Sequence, residues 1–82
     1  MSPSQTKELI AECDNRIASL EQAIRDCRSR ISYIRKVTKD KVTPDIEAEN
    51  LTKDFNQDIF DIEALIIRYT EVRKQLVEHE SQ

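Results

Sequence analysis

Four isoleucines spaced seven apart, Ile10, Ile17, Ile24 and Ile31, constrain this chain more than any other feature. Three residues after each comes another apolar or weakly polar side chain: Cys13, Leu20, Cys27 and Ile34. A 3-4 alternation held over about three and a half heptads with no charged residue on it marks a helix with one narrow apolar stripe, the kind that pairs with another helix. The chain has no Gly and two Pro in 82 residues. Most sheet folds need Gly-rich turns, and a phosphate-cradling Gly loop is impossible without Gly. The sequence therefore predicts an all-α protein.

The helix boundaries are written locally. Ser2-Pro3-Ser4-Gln5 places a capping hydroxyl before a proline at the first helical position, with Gln5 placed to complete a capping box. The first stripe stops after Ile34, and Thr38, Lys39, Asp40 and Lys41 are polar. Thr43-Pro44-Asp45 reads as a second start, with Thr43 as cap and Pro44 opening the helix. A single domain over residues 1–82 is expected, with one helix over about 3–39, a turn over about 40–43 and a second helix over about 44–79. Each helix would be about 50–55 Å long at 1.5 Å per residue.

The second helix carries its own heptad. Ala48, Phe55, Ile62, Tyr69 and Leu76 form one line, and Leu51, Asp58, Leu65 and Val72 the other. If the chain reverses, facing residues should have numbers with a constant sum. At a sum of 82, Ile10 faces Val72, Cys13 faces Tyr69, Ile17 faces Leu65, Leu20 faces Ile62, Cys27 faces Phe55 and Ile31 faces Leu51. One pair fails: Ile24 meets Asp58. That carboxylate would either pair with Arg25 or Arg28 or fix the register, as polar seam residues do. The expected seam is thus Ile10, Cys13, Ile17, Leu20, Ile24, Cys27, Ile31 and Ile34 against Leu51, Phe55, Ile62, Leu65, Tyr69 and Val72.

Charge supports reversal. Residues 25–41 hold seven basic side chains against two acidic, and residues 45–63 hold seven acidic against Lys53. An antiparallel hairpin lays one segment along the other, with Arg30 near Asp54 and Arg35 near Asp45. A parallel homodimer would stack basic on basic. The whole chain carries −3, which argues against nucleic acid as partner. The basic run 25–41 is the one stretch that would serve such binding, and Tyr33 is its sole aromatic.

The hairpin does not use every apolar side chain. Ile59, Phe60, Ile66 and Ile67 lie off the expected seam and make the middle of the second helix apolar around much of its circumference. These four residues are the expected partner interface. A core this small supplies only about 3–5 kcal/mol, so self-association into a four-helix dimer is the first expectation for a partner, and another helical protein the second.

Chemistry is sparsely represented. His79 is the only histidine and lies near the chain end. Cys13 and Cys27 are the only thiols, about 21 Å apart on one helix, so they cannot join within it, and their spacing fits no zinc site. They read as small buried apolar residues. The expectation is no cofactor, no metal, no catalysis, no membrane span, no leader and a cytoplasmic protein. The function expected is helix-mediated protein binding: an assembly, adaptor or regulatory module. The alternatives are a small chaperone or inhibitor that shields an apolar helix of a client, and nucleic-acid binding through residues 25–41.

Overall fold

In the computed structural model, which describes residues 2–81, two α-helices pack antiparallel into a rod of 62 × 14 × 14 Å. Helix α1 spans Pro3–Thr38 and α2 spans Ile46–Ser81, each 36 residues. The outer ends of the expected domain, Met1 and Gln82, lie outside the described residues.

Each helix begins on a side-chain cap. The Ser2 hydroxyl accepts from the Gln5 backbone N–H at 3.2 Å, and the Gln5 side-chain Oε1 accepts from the Ser2 N–H at 3.1 Å. This reciprocal pair satisfies two backbone donors, with Pro3 at the position where a missing N–H does no harm. The second start differs from the expectation. Thr43 does not cap; Asp45 does. Its carboxylate accepts from the Ala48 N–H at 3.0 Å, and the Lys41 ammonium holds its other oxygen at 2.9 Å. Pro44 disfavours helical backbone at Thr43 and stands outside the helix, while Asp is among the strongest capping residues. So α2 opens at Ile46, two residues later than expected. No described residue takes a positive φ. A chain without Gly can therefore make the connection over residues 39–45.

The helix faces settle the register. On α1, burial follows the isoleucine heptad: Cys13, Ile24, Cys27 and Ile31 are buried, and Ile10, Ile17, Leu20 and Ile34 are half-buried. On α2 the half-buried residues are Ala48, Thr52, Phe55, Ile59, Ile62, Ile66, Tyr69, Arg73 and Leu76. They too alternate by four and three. The second line, however, is Thr52–Ile59–Ile66–Arg73 and not the expected Leu51–Asp58–Leu65–Val72. Leu51, Leu65 and Val72 are 49%, 39% and 47% exposed.

Cross-helix contacts give the corresponding shift along the rod. Asp14 meets Arg73 at 2.5 Å, and the Arg30 guanidinium lies 5.8 Å from the centre of the Phe55 ring. Those residue numbers add to 87 and 85. The longer Arg28–Glu63 pair adds to 91, while Leu20 with Leu65 and Ile34 with Leu51, which share grooves, add to 85. The register is therefore near 86, not 82, about one helical turn further along α2. It sets Ile24 level with Ile62, Cys27 with Ile59, Ile31 with Phe55 and Leu20 with Ile66.

The reason is the carboxylate. The expected register buries Asp58 against Ile24, and an unpaired charge in an apolar seam costs several kcal/mol. Rotating α2 by one stripe exposes Asp58 and brings Ile59 and Ile66 inward instead. The polar residues this admits are provided for. The Thr52 hydroxyl donates to the Ala48 carbonyl at 2.8 Å, and Arg73 extends its charge to Asp14 at the rim.

The charge pairs change with the register. Among the described residues the cross-helix ion pairs are Asp14–Arg73 and Arg28–Glu63, the latter at 3.9 Å. Arg30 sits over Phe55 and not beside Asp54; Asp45 is taken by Lys41 and not by Arg35.

Candidate interaction surface

The hairpin has two broad faces, and the residue order of the helices makes them chemically different. One face is defined by a groove of about 460 Å³ where Arg16, Ser19 and Leu20 of α1 meet Leu65 and Tyr69 of α2. It continues toward the turn as a groove of about 430 Å³ lined by Arg30, Tyr33, Ile34, Leu51 and Phe55. Heptad steps from these residues add Leu9, Ala23 and Val37 on α1, and Val72 on α2. Leu9 and Val37 are 38% and 51% exposed. This is the Leu65 face. Along its α2 edge run Glu47, Asp54, Asp58, Asp61 and Arg68.

The opposite face is polar. Its groove is lined by Arg28, Ile31, Ser32, Arg35, Asn56 and Ile59, and the Arg28–Glu63 and Asp14–Arg73 pairs cross it. The expected pairing of the basic segment with the acidic one is thus incomplete. At the turn end, Arg28 and Arg35 of α1 line this face, while by helical periodicity most α2 carboxylates of that half fall on the other.

The four residues expected as a partner interface separate into two pairs. Ile59 and Ile66 are half-buried on the inner side of α2, facing α1. Phe60 and Ile67 are 68% and 69% exposed on the outer side of α2, flanking Glu63 at the margin of the polar face. A single patch of four does not form, because consecutive residues on a helix point about 100° apart. Sequence reading missed the Leu51–Leu65–Val72 line as a surface. The signal was present in Asp58, whose charge on that line marks it as solvent-facing.

The reactive side chains stay apart. Cys13 and Cys27 are free thiols buried in the seam. Among the described residues no three His, Cys, Asp or Glu side chains gather as a metal site, and no helix is long and apolar enough to cross a membrane. Part of the basic run is engaged within the hairpin. Arg25 donates to Gln22, Arg28 pairs with Glu63, Arg30 covers Phe55 and Lys41 holds Asp45. The Lys41 ammonium, followed by the Ala48 N–H, lowers the Asp45 pKa from its ordinary 3.8. These features define a small all-α helical-hairpin module whose surface, and not any cluster of reactive groups, is its distinguishing part. No family model, curated protein or solved structure matches the chain.

Proposed function

We propose that this hairpin is a non-enzymatic protein–protein interaction module that works by helix packing, with a second copy of itself as its first partner. The observation that carries this reading is the imbalance between core and surface. Four apolar residues are buried, and no side chain is enclosed to below 2% exposure. Against that, eleven large apolar side chains of the described residues stay exposed, from Leu9 to Val77. A core so thin supplies only about 3–5 kcal/mol, and covering the exposed line of α2 would add to it. Such a protein gains stability when it assembles.

Light scattering on the purified chain, with melting followed over a hundredfold range of concentration, tests this. The expected result is a dimer whose melting temperature rises with concentration. A monomer with concentration-independent melting sinks the self-association reading.

The exposure of Phe60 and Ile67 favours a second reading, in which the outer side of α2 shields an apolar helix of a client, as a small cytoplasmic chaperone or inhibitor would. Replacing both residues with Glu should leave helix content and self-association intact and abolish client binding. Loss of the dimer in that variant would place the self-interface on the outer side.

A further inference from the structure

We propose that the Leu65 face is the site where a second copy docks, with the two rods antiparallel and the two-fold axis passing through Leu65 of α2 and close to residue 21 of α1. This rests on the self-association reading above and adds the face, the direction and the register.

The face has the size an interface needs. A rod 62 Å long and 14 Å wide offers roughly 870 Å² in projection, close to the ~800 Å² per partner of a stable complex. It also has the composition. Leu51, Leu65 and Val72 give α2 an exposed apolar line beside a seam that is already half-buried. The polar face carries Arg28, Arg35 and two crossing ion pairs in the corresponding places.

Charge then selects the direction. The turn half of the Leu65 face holds Glu47, Asp54, Asp58 and Asp61 on α2. Docking two copies in parallel, about an axis along the rod, lays α2 of each on α1 of the other. The register near 86 then sets Asp61 by Asp26 and Arg68 by Arg16, like charge on like at each place twice, with only Asp58 by Arg30 in favour. Antiparallel docking brings the carboxylates of the turn half to the other half of the face, where Arg16 and Arg68 lie.

Register follows from the same side chains. With the axis at Leu65, Asp61 comes level with Arg68 of the second copy, and Arg68 with Asp61. On α1 the same axis sets Arg16 against Asp26, Glu12 against Arg30 and Leu9 against Tyr33, each pair occurring twice. Moving the second copy by one heptad places Asp61 against its own equivalent. The axis also falls near the middle of both 36-residue helices, so the rods overlap over their whole length. The outer side of α2 does not do as well. An antiparallel pair centred between Phe60 and Ile67 sets Lys53 against Lys74.

Cross-linking and a charge swap test the proposal on the full chain. A residue on a two-fold axis faces its own copy, so Leu65→Cys should form an intermolecular disulfide on mild oxidation, within the Cα separation of about 4.4–6.8 Å that such a bond needs. The native Cys13 and Cys27, buried at 7% and 8% exposure, should not cross-link. Arg16→Glu should weaken the dimer about tenfold, by setting like charges against each other at two sites. Adding Asp26→Arg should restore it, while circular dichroism stays constant. Both residues are exposed, so the swap decides the matter even if Leu65→Cys unfolds the chain. A dimer that neither cross-links at residue 65 nor responds to the swap uses another face; the proposal then fails and the self-association reading survives. A monomeric wild type overturns both.

Discussion

The two helices are equally long, yet they divide the work of the fold unequally. Every buried residue of the described chain belongs to α1: Thr6, Cys13, Ile24, Cys27 and Ile31. Helix α2 has none, although it carries more large apolar side chains, among them both phenylalanines. Helix α1 has one narrow stripe of small or β-branched residues, and Phe55, Ile59, Ile62 and Tyr69 on α2 are broad enough to cover it. Helix α2 spreads its apolar residues over four lines, and a single neighbour can cover only the two inner ones. Burial in a two-helix unit thus depends on how narrow a stripe is, not on how apolar the helix is. The helix with apolar surface to spare is the one proposed above to meet a partner.

Core substitutions should separate the helices most strongly. Ile24→Ala removes a buried side chain from α1 and should cost about 2–4 kcal/mol. Ile67→Ala, on the outer side of α2, should cost no more than about 0.5 kcal/mol. Urea unfolding at a single protein concentration gives both values, and similar costs would show that α1 is not the buried partner.

Neighbouring residues on α2 give a finer comparison. Ile59→Ala should destabilise the hairpin by about 1–2 kcal/mol, since this side chain faces α1. Phe60→Ala should change hairpin stability by less than about 0.5 kcal/mol. The reverse order, measured at high dilution, would mean that α2 is rotated away from the orientation described.

Asp58 tests the seam with a smaller expected change. It is exposed on the Leu65 face, so Asp58→Leu should leave hairpin stability at high dilution within about 0.5 kcal/mol of wild type. The same substitution should tighten self-association, by extending the line between Leu51 and Leu65. A seam position would respond differently. Replacing an unpaired carboxylate facing Ile24 would stabilise the isolated hairpin by roughly 1–4 kcal/mol.

The two helix starts differ in a way that pH reveals. Ser2 caps α1 with a hydroxyl that does not titrate, while Asp45 caps α2 with a carboxylate whose pKa lies below its ordinary 3.8. A group with a lowered folded pKa stabilises the fold fully above the unfolded value, and the contribution disappears as pH falls through the folded one. Hydrogen exchange at the Ala48 amide, corrected for intrinsic rate, should therefore lose protection below about pH 4. The Gln5 amide, held by a hydroxyl, should keep its protection over the same range. Parallel behaviour of the two amides would show that Asp45 does not hold the α2 start.

How far the sequence could be read follows from the residues that carried each step. The isoleucine heptad of α1 is unambiguous because no second stripe competes with it, and its burial follows that heptad along the whole helix. Reversal of the chain was legible in the interruption at Thr38–Pro44. The capping box at Ser2 could be read because it depends on three neighbouring residues. The Asp45 cap was misread by two positions. Thr43 and Asp45 are both good caps, and the choice between them depended on Pro44 and on Lys41 folding back across the turn.

The interface on α2 was only half legible. Leu51, Leu65 and Val72 on one side of the shared line, and Ile59 and Ile66 on the other, suit a seam equally well by periodicity. Summing residue numbers could not separate two registers one turn apart. By itself the sequence determined two helices, a reversal and one complete stripe, because these depend on local spacing and on residues close in the chain. The tertiary structure decided which side of α2 faces α1, the register near 86, and hence which apolar line remains outside. That choice depends on desolvating Asp58, a cost that exists only once another helix is packed against it.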